Sequence, residues 1–123
     1  MTLPHAMILA AAMLPYVTVA LAKAGWSGYD NRRPRAWAAR LDGWRARAEA
    51  AHRNHFEAFA PFAAAALLAE RGPHPAWAGP LAAAFIALRV AYTAAYIADR
   101  PGLRSALWFA ALACVIALFC LAG

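Results

Sequence analysis

Four apolar stretches, separated by two tight breaks and one basic loop, constrain this chain more than any other feature of its sequence. They run from about Leu3 to Ala22, Phe56 to Ala69, Ala76 to Ile97 and Ser105 to Ala122. A helix crossing the hydrocarbon core of a bilayer needs roughly 20 apolar residues, and three of the stretches come close to that. The second has 14 core residues. It reaches a spanning length only if Arg53, Asn54 and Glu57 are counted in, with the helix extending backward toward Trp44, which implies that those residues face protein or water rather than lipid. With 64% of 123 residues hydrophobic and 15% charged, the chain lacks the polar surface of a soluble domain of its length. The expected fold is an all-α integral membrane protein. It is a single four-helix transmembrane domain over residues 1–123, with helices at about 3–22, 44–70, 76–97 and 104–122 and a basic loop at 23–43.

Ala20-Leu21-Ala22 resembles a signal-peptide cleavage site, but no Lys or Arg precedes it, and the positive charge begins only at Lys23. A secretory signal carries its charge in front of the apolar region, so this stretch reads as a retained helix. Orientation follows from the other basic residues. Lys23, Arg32, Arg33, Arg35, Arg40, Arg45, Arg47 and Arg53 lie between the first and second helices, and Arg100 and Arg104 between the third and fourth. Arg71 stands alone between the second and third. The positive-inside rule then puts both termini outside and the long loop in the cytoplasm. Topology thus accounts for the net charge of +6. Attraction to anionic lipid heads is a further use of it, and nothing in the charge pattern calls for nucleic acid.

Gly25, Gly28, Asp30, Asn31 and Pro34 punctuate the first half of the loop. Arg35 to Arg47 reads as helical, and Trp26, Trp37 and Trp44 are expected at the headgroup level. Gly72-Pro73-His74-Pro75 and Arg100-Pro101-Gly102 are the two short breaks, which make successive helices antiparallel neighbours. The many alanines permit close helix packing in lipid.

Polar residues inside such helices are functional candidates by default. Arg53, Asn54 and Glu57 lie within one turn of each other on the second helix. Arg89, Tyr92 and Tyr96 share a face of the third. Arg104 and Ser105 open the fourth. The antiparallel order brings all three sets to the cytoplasmic half. Glu57 lies 13 residues before Glu70, and Arg89 lies 13 residues after Ala76. At 1.5 Å per residue both are about 20 Å from the outer ends of their helices, which suggests an ion pair. A buried ion network that only fixes helix register accounts for the same spacing. The excess of cation favours the other reading, in which Arg, Tyr and Asn donors receive carboxylates.

Ala51-His52-Arg53-Asn54-His55-Phe56-Glu57, followed by Pro61-Phe62, resembles the second-helix signature of the MAPEG family (membrane-associated proteins in eicosanoid and glutathione metabolism). Arg89-Val90-Ala91-Tyr92-Thr93-Ala94-Ala95-Tyr96, with Arg104-Ser105 after it, is similar to that family's third and fourth helices. The resemblance is to small bacterial-type members, and it implies an inner-membrane protein if the source is bacterial. It also implies a homotrimer that binds glutathione between subunits on the cytoplasmic side. Arg53, Asn54, Glu57, Arg89 and Tyr92 would bind the peptide. Arg104, assisted by Tyr96, would stabilise its thiolate, with Ser105 nearby. The implied activity is a glutathione transferase or peroxidase acting on an apolar electrophile or lipid hydroperoxide, with glutathione as co-substrate. The alternative is a non-catalytic accessory subunit of a larger membrane assembly.

Position 50 departs from the pattern. It is Ala50 where glutathione-using members often carry Arg, and Arg47 one turn earlier is a candidate substitute. Lys23 is a candidate for a basic residue that relatives carry at the inner end of the first helix. His52 and His55 are three residues apart, but no carboxylate or thiolate completes a metal set except Glu57, which has a better role, so no metal is expected. Cys114 and Cys120 fall on different faces of one helix and read as apolar thiols rather than a disulfide. Pro15 and Pro61 are expected to bend their helices.

Overall fold

A computed structural model describes residues 1–26 and 28–123. The described chain is helical throughout: α1 (Leu3–Lys23), α2 (Pro34–Ala38), α3 (Gly43–Arg71), α4 (Ala78–Ile97) and α5 (Pro101–Leu121), with a 3₁₀ turn at Pro75–Trp77 before α4. α1, α5 and the segment Pro75–Ile97 are long and apolar enough to cross a membrane. α3 is longer than any of them at 29 residues, about 43 Å at the standard rise, but its first half is polar.

Chain chemistry sets the helix ends. Thr2 caps α1 by accepting the His5 amide, and prolines stand in the first turns of α1, α2 and α5, where a missing N–H does no harm. Arg35 to Arg47 is not one helix. It is interrupted between Ala39 and Asp42, and α3 starts at Gly43 with φ +55°. That left-handed backbone resists carrying α2 straight on into α3.

The turn between α4 and α5 is tight. The Arg100 amide reaches the Ala95 carbonyl at 2.9 Å, and the Asp99 amide reaches Tyr96 at 3.1 Å. This is the paired closure of a Schellman motif, with Asp99 in the left-handed position at φ 57°. It sets the start of α5 directly against the last turn of α4.

At the opposite end, His5 Nε2 meets Glu70 Oε2 at 3.0 Å. A Cβ at Gly72 would overlap the Leu121 carbonyl oxygen, so α3 and α5 end in close approach. The core between the long helices is mostly alanine: Ala11, Ala65, Ala66, Ala69, Ala78, Ala82 and Ala111. Small side chains let the helices approach closely. Phe62 and Phe85 fill the centre, stacked at 3.9 Å with 6° between their rings.

The loop folds back on the bundle as a second small core. Trp37, 1% exposed, packs with Ala22 and Ala48 and against Trp26 and Tyr29. Trp37 therefore lies inside the protein rather than at a lipid surface. Arg45 donates to the Ala22 carbonyl at 2.8 Å and Arg47 to the Ile97 carbonyl at 3.1 Å. These two arginines close the carbonyl ends of α1 and α4, where positive charge also suits the helix dipole.

Candidate functional site

Arg89 is the centre of the polar structure. It occupies the buried stripe of α4, made by Ala78, Ala82, Phe85, Arg89, Tyr92 and Ala95, and is 2% exposed. Its Nη2 donates to Asn54 Oδ1 at 2.8 Å and lies 2.9 Å from His55 Nδ1. Its Nε reaches the same His55 nitrogen at 3.3 Å, and its guanidinium carbon lies 4.3 Å from the Tyr92 ring centre. Asn54 Nδ2 donates to Glu57 Oε2 at 3.0 Å. The expected Glu57–Arg89 ion pair is therefore not direct, and the Asn54 amide stands between the two charges. Among the described residues the ion pair between an arginine or lysine and a carboxylate is Arg53–Glu49, and His5 Nε2 meets Glu70 Oε2.

The network opens on two cavities that share Asn54 and Trp108. One, of about 240 Å³, is polar and holds Tyr92, Tyr96, Arg104 and Ser105. The other, of about 150 Å³, has Glu57 and Arg89 at one end and Phe85, Leu112 and Val115 along its walls. Tyr92 and Tyr96 meet edge to face at 5.6 Å, and the Arg104 guanidinium carbon lies 4.4 Å from the Tyr96 ring centre. The Asp99 turn makes that last contact possible, because it returns α5 beside the final turn of α4. Asn54, Glu57, Arg89, Tyr92, Tyr96, Arg104 and Ser105 are thus brought together from α3, α4 and α5.

Arg53 is not in this group. It is exposed, bonds Glu49 at 3.1 Å, and lines a third cavity of about 470 Å³ between α1, α2 and α3, together with Lys23, Arg35 and His52. One residue of helical rotation, about 100°, separates it from Asn54. The basic residues toward the loop end therefore fall into two groups on opposite flanks of α3.

His52 and His55 also part company. His52 Nδ1 bonds the Pro15 carbonyl at 2.6 Å, tying α3 to α1. His55, 2% exposed, lies between α3 and α4, with Nε2 2.8 Å from Thr93 Oγ1. Among the described residues no three His, Cys, Asp or Glu side chains gather as a metal set. His55, which the sequence raised only as half of a metal pair with His52, and Thr93 are members of the site whose place in it the sequence pattern did not show. The signal was present, because His55 continues the buried stripe Ala48, Ala51, Phe62, Ala65 and Ala69 of α3. An imidazole on a core stripe demands a polar partner.

Arg47, the candidate substitute for a cation at Ala50, donates through Nε to the Ile97 carbonyl at 3.1 Å, which ties it to the end of α4. Residues 3–123, essentially the whole chain, match the profile of the MAPEG family. No curated protein and no solved structure matches the chain.

Proposed function

The chain belongs to the MAPEG family, and from that premise we propose that it is a membrane-bound glutathione-dependent transferase or peroxidase acting on an apolar electrophile or lipid hydroperoxide. The family in general uses glutathione. The observation that carries the proposal is the polar cavity in which Arg104 lies over Tyr96 while Asn54 joins Arg89 to Glu57 at its edge.

The residues fit the peptide by charge. Arg89 is a buried cation with no carboxylate within salt-bridge distance among the described residues, which leaves positive charge for a carboxylate. Glu57 supplies the negative charge an amino group needs, and Asn54 and Tyr92 offer hydrogen bonds to amide groups. Glutathione supplies a thiol, which is reactive as the thiolate. Arg104 is the fixed cation at the cavity that favours that form, with Tyr96 holding the guanidinium by its ring face and offering a hydroxyl. The adjoining apolar cavity gives an electrophile or hydroperoxide a route from the lipid.

In this reading α3 is the second of four spans, both termini lie outside, and the loop end faces the cytoplasm of an inner membrane. Glu57 and Arg53 are exposed on the single chain. Charges at that depth do not face hydrocarbon, so further copies cover them. A homotrimer lays the flank with Arg53 and Lys23 against the cavity holding Arg104 of the next subunit.

The second reading, a non-catalytic accessory subunit, is favoured by Ala50 together with the engagement of Arg47 at Ile97. Assay of the purified protein with glutathione and an aryl halide or lipid hydroperoxide separates the two. Turnover supports the enzyme. Its absence, with no glutathione-induced stabilisation, supports the accessory role.

A further inference from the structure

A buried guanidinium held by neutral groups needs those groups in defined protonation states. Arg89 has five N–H donors and no acceptor. Two of its nitrogens converge on His55 Nδ1, at 2.9 Å and 3.3 Å. That nitrogen must present its lone pair, so the imidazole proton sits on Nε2. Nε2 lies 2.8 Å from Thr93 Oγ1, and the Thr93 hydroxyl in turn donates to the Arg89 carbonyl at 2.9 Å. The hydroxyl oxygen is therefore free to accept from His55. Every link then has one donor and one acceptor: His55 to Thr93, Thr93 to the Arg89 backbone, the Arg89 side chain to His55 and Asn54, and Asn54 to Glu57.

We propose that His55 is a positioning residue: held as the neutral Nε2–H imidazole by Thr93, it anchors the Arg89 guanidinium through Nδ1, aims Nη2 at Asn54, and through Asn54 fixes the Glu57 carboxylate at the cavity. His55 lines none of the three cavities, so it acts through Arg89 and not on a ligand. Thr93 and Arg89 are one turn apart on α4, so side chain and backbone of the same arginine are tied to one imidazole. Rotation of the guanidinium out of this setting would break its bonds to His55 and Asn54 together. The positioning stands on the geometry alone, and its effect on glutathione rests on the function proposed above.

The test has two arms. The first is nuclear magnetic resonance of the detergent-solubilised protein with isotope-labelled histidine and arginine. One imidazole should show the fixed Nε2–H pattern, and this signal should disappear in His55→Asn. The Arg89 Nε–H should give a slowly exchanging signal. An Nδ1–H or doubly protonated His55 overturns the proposal.

The second arm compares His55→Asn, whose carbonyl oxygen replaces the Nδ1 acceptor, with His55→Leu, which has none. The Arg89 signal should survive in the Asn variant and be lost in the Leu variant. Glutathione-induced stabilisation should follow it, with apparent affinity weakened about tenfold or more in His55→Leu and largely kept in His55→Asn. An Arg89 signal that persists in His55→Leu overturns the proposal. Should that variant fail to fold, Thr93→Val takes its place. It removes the acceptor of the Nε2 proton, so that proton should exchange faster and the Arg89 Nε–H signal should weaken; both unchanged from wild type overturns the proposal equally. If the Arg89 signal behaves as expected while the wild-type protein ignores glutathione, the positioning role stands and the glutathione reading fails.

Discussion

Asn54 Oδ1 accepts from Arg89 Nη2 at 2.8 Å, and this bond joins the buried cation of α4 to the cavity-lining edge of α3. Because Asn54 also donates to Glu57, one neutral amide separates two opposite charges that would otherwise neutralise each other. Each retains capacity for a ligand of opposite sign.

Asn54→Leu keeps the branching and heavy-atom count of the side chain and removes both bonds. Arg89 loses an acceptor in a buried setting, so the fold should lose about 1–3 kcal/mol. Thermal unfolding in detergent, followed by circular dichroism, measures the loss. An unchanged midpoint would mean that the amide link is not formed in the membrane protein.

Arg104→Ala should behave differently. Arg104 is half-buried and touches Tyr96 by its ring face, a contact worth about 0.5–1 kcal/mol at such a site, so stability should change little. Turnover with glutathione should fall by about 10²-fold, the usual consequence of removing a group that stabilises reacting charge. The thiolate absorbance of bound glutathione should fall with it. Unchanged turnover removes Arg104 from the mechanism.

Asp99 stands where glycine is favoured, at φ 57°. Asp99→Gly should therefore stabilise or leave unchanged the α4–α5 turn, whereas Asp99→Val should destabilise it by about 1–2 kcal/mol. The Val variant should also disturb the Arg104–Tyr96 contact, which the turn positions. Paired unfolding curves check the order Gly, Asp, Val.

Arg47→Ala removes the bond to the Ile97 carbonyl. A loss of about 0.5–1.5 kcal/mol is expected, with glutathione affinity unaffected. A weakened affinity at unchanged stability would restore Arg47 to the binding site.

The helices were legible because apolar stretches and the Gly72-Pro73 and Arg100-Pro101-Gly102 breaks are local signals. The backward extension of α3 was expected because its apolar part alone is too short to cross a membrane, and the helix does run from Gly43 to Arg71. The gap between α2 and α3 was missed although Asp42-Gly43 is a turn dipeptide and Asp42 is the N-cap residue of α3; the flanking alanines, arginines and tryptophans favour or tolerate a helix, and the left-handed backbone at Gly43 depends on how the loop folds back. Within the site, depth counting placed Glu57 and Arg89 level, but level residues need not touch, since side-chain direction decides the partner. Rotation about α3 sent Arg53 to the other flank. His55 was weighed with His52 by sequence spacing, although their partners lie on different helices: Pro15 of α1 for His52, Arg89 and Thr93 of α4 for His55.

The most direct test of the cavity's purpose is thermal unfolding of the wild-type protein and of Glu57→Gln over a glutathione series reaching millimolar concentration. A ligand that binds only the folded state stabilises by about 2.7 kcal/mol at 100 times its dissociation constant. The wild-type midpoint should rise with the logarithm of glutathione concentration once the dissociation constant is passed, and the rise should be weaker in Glu57→Gln. A wild-type midpoint that stays flat throughout would contradict a thiol-peptide site in this cavity.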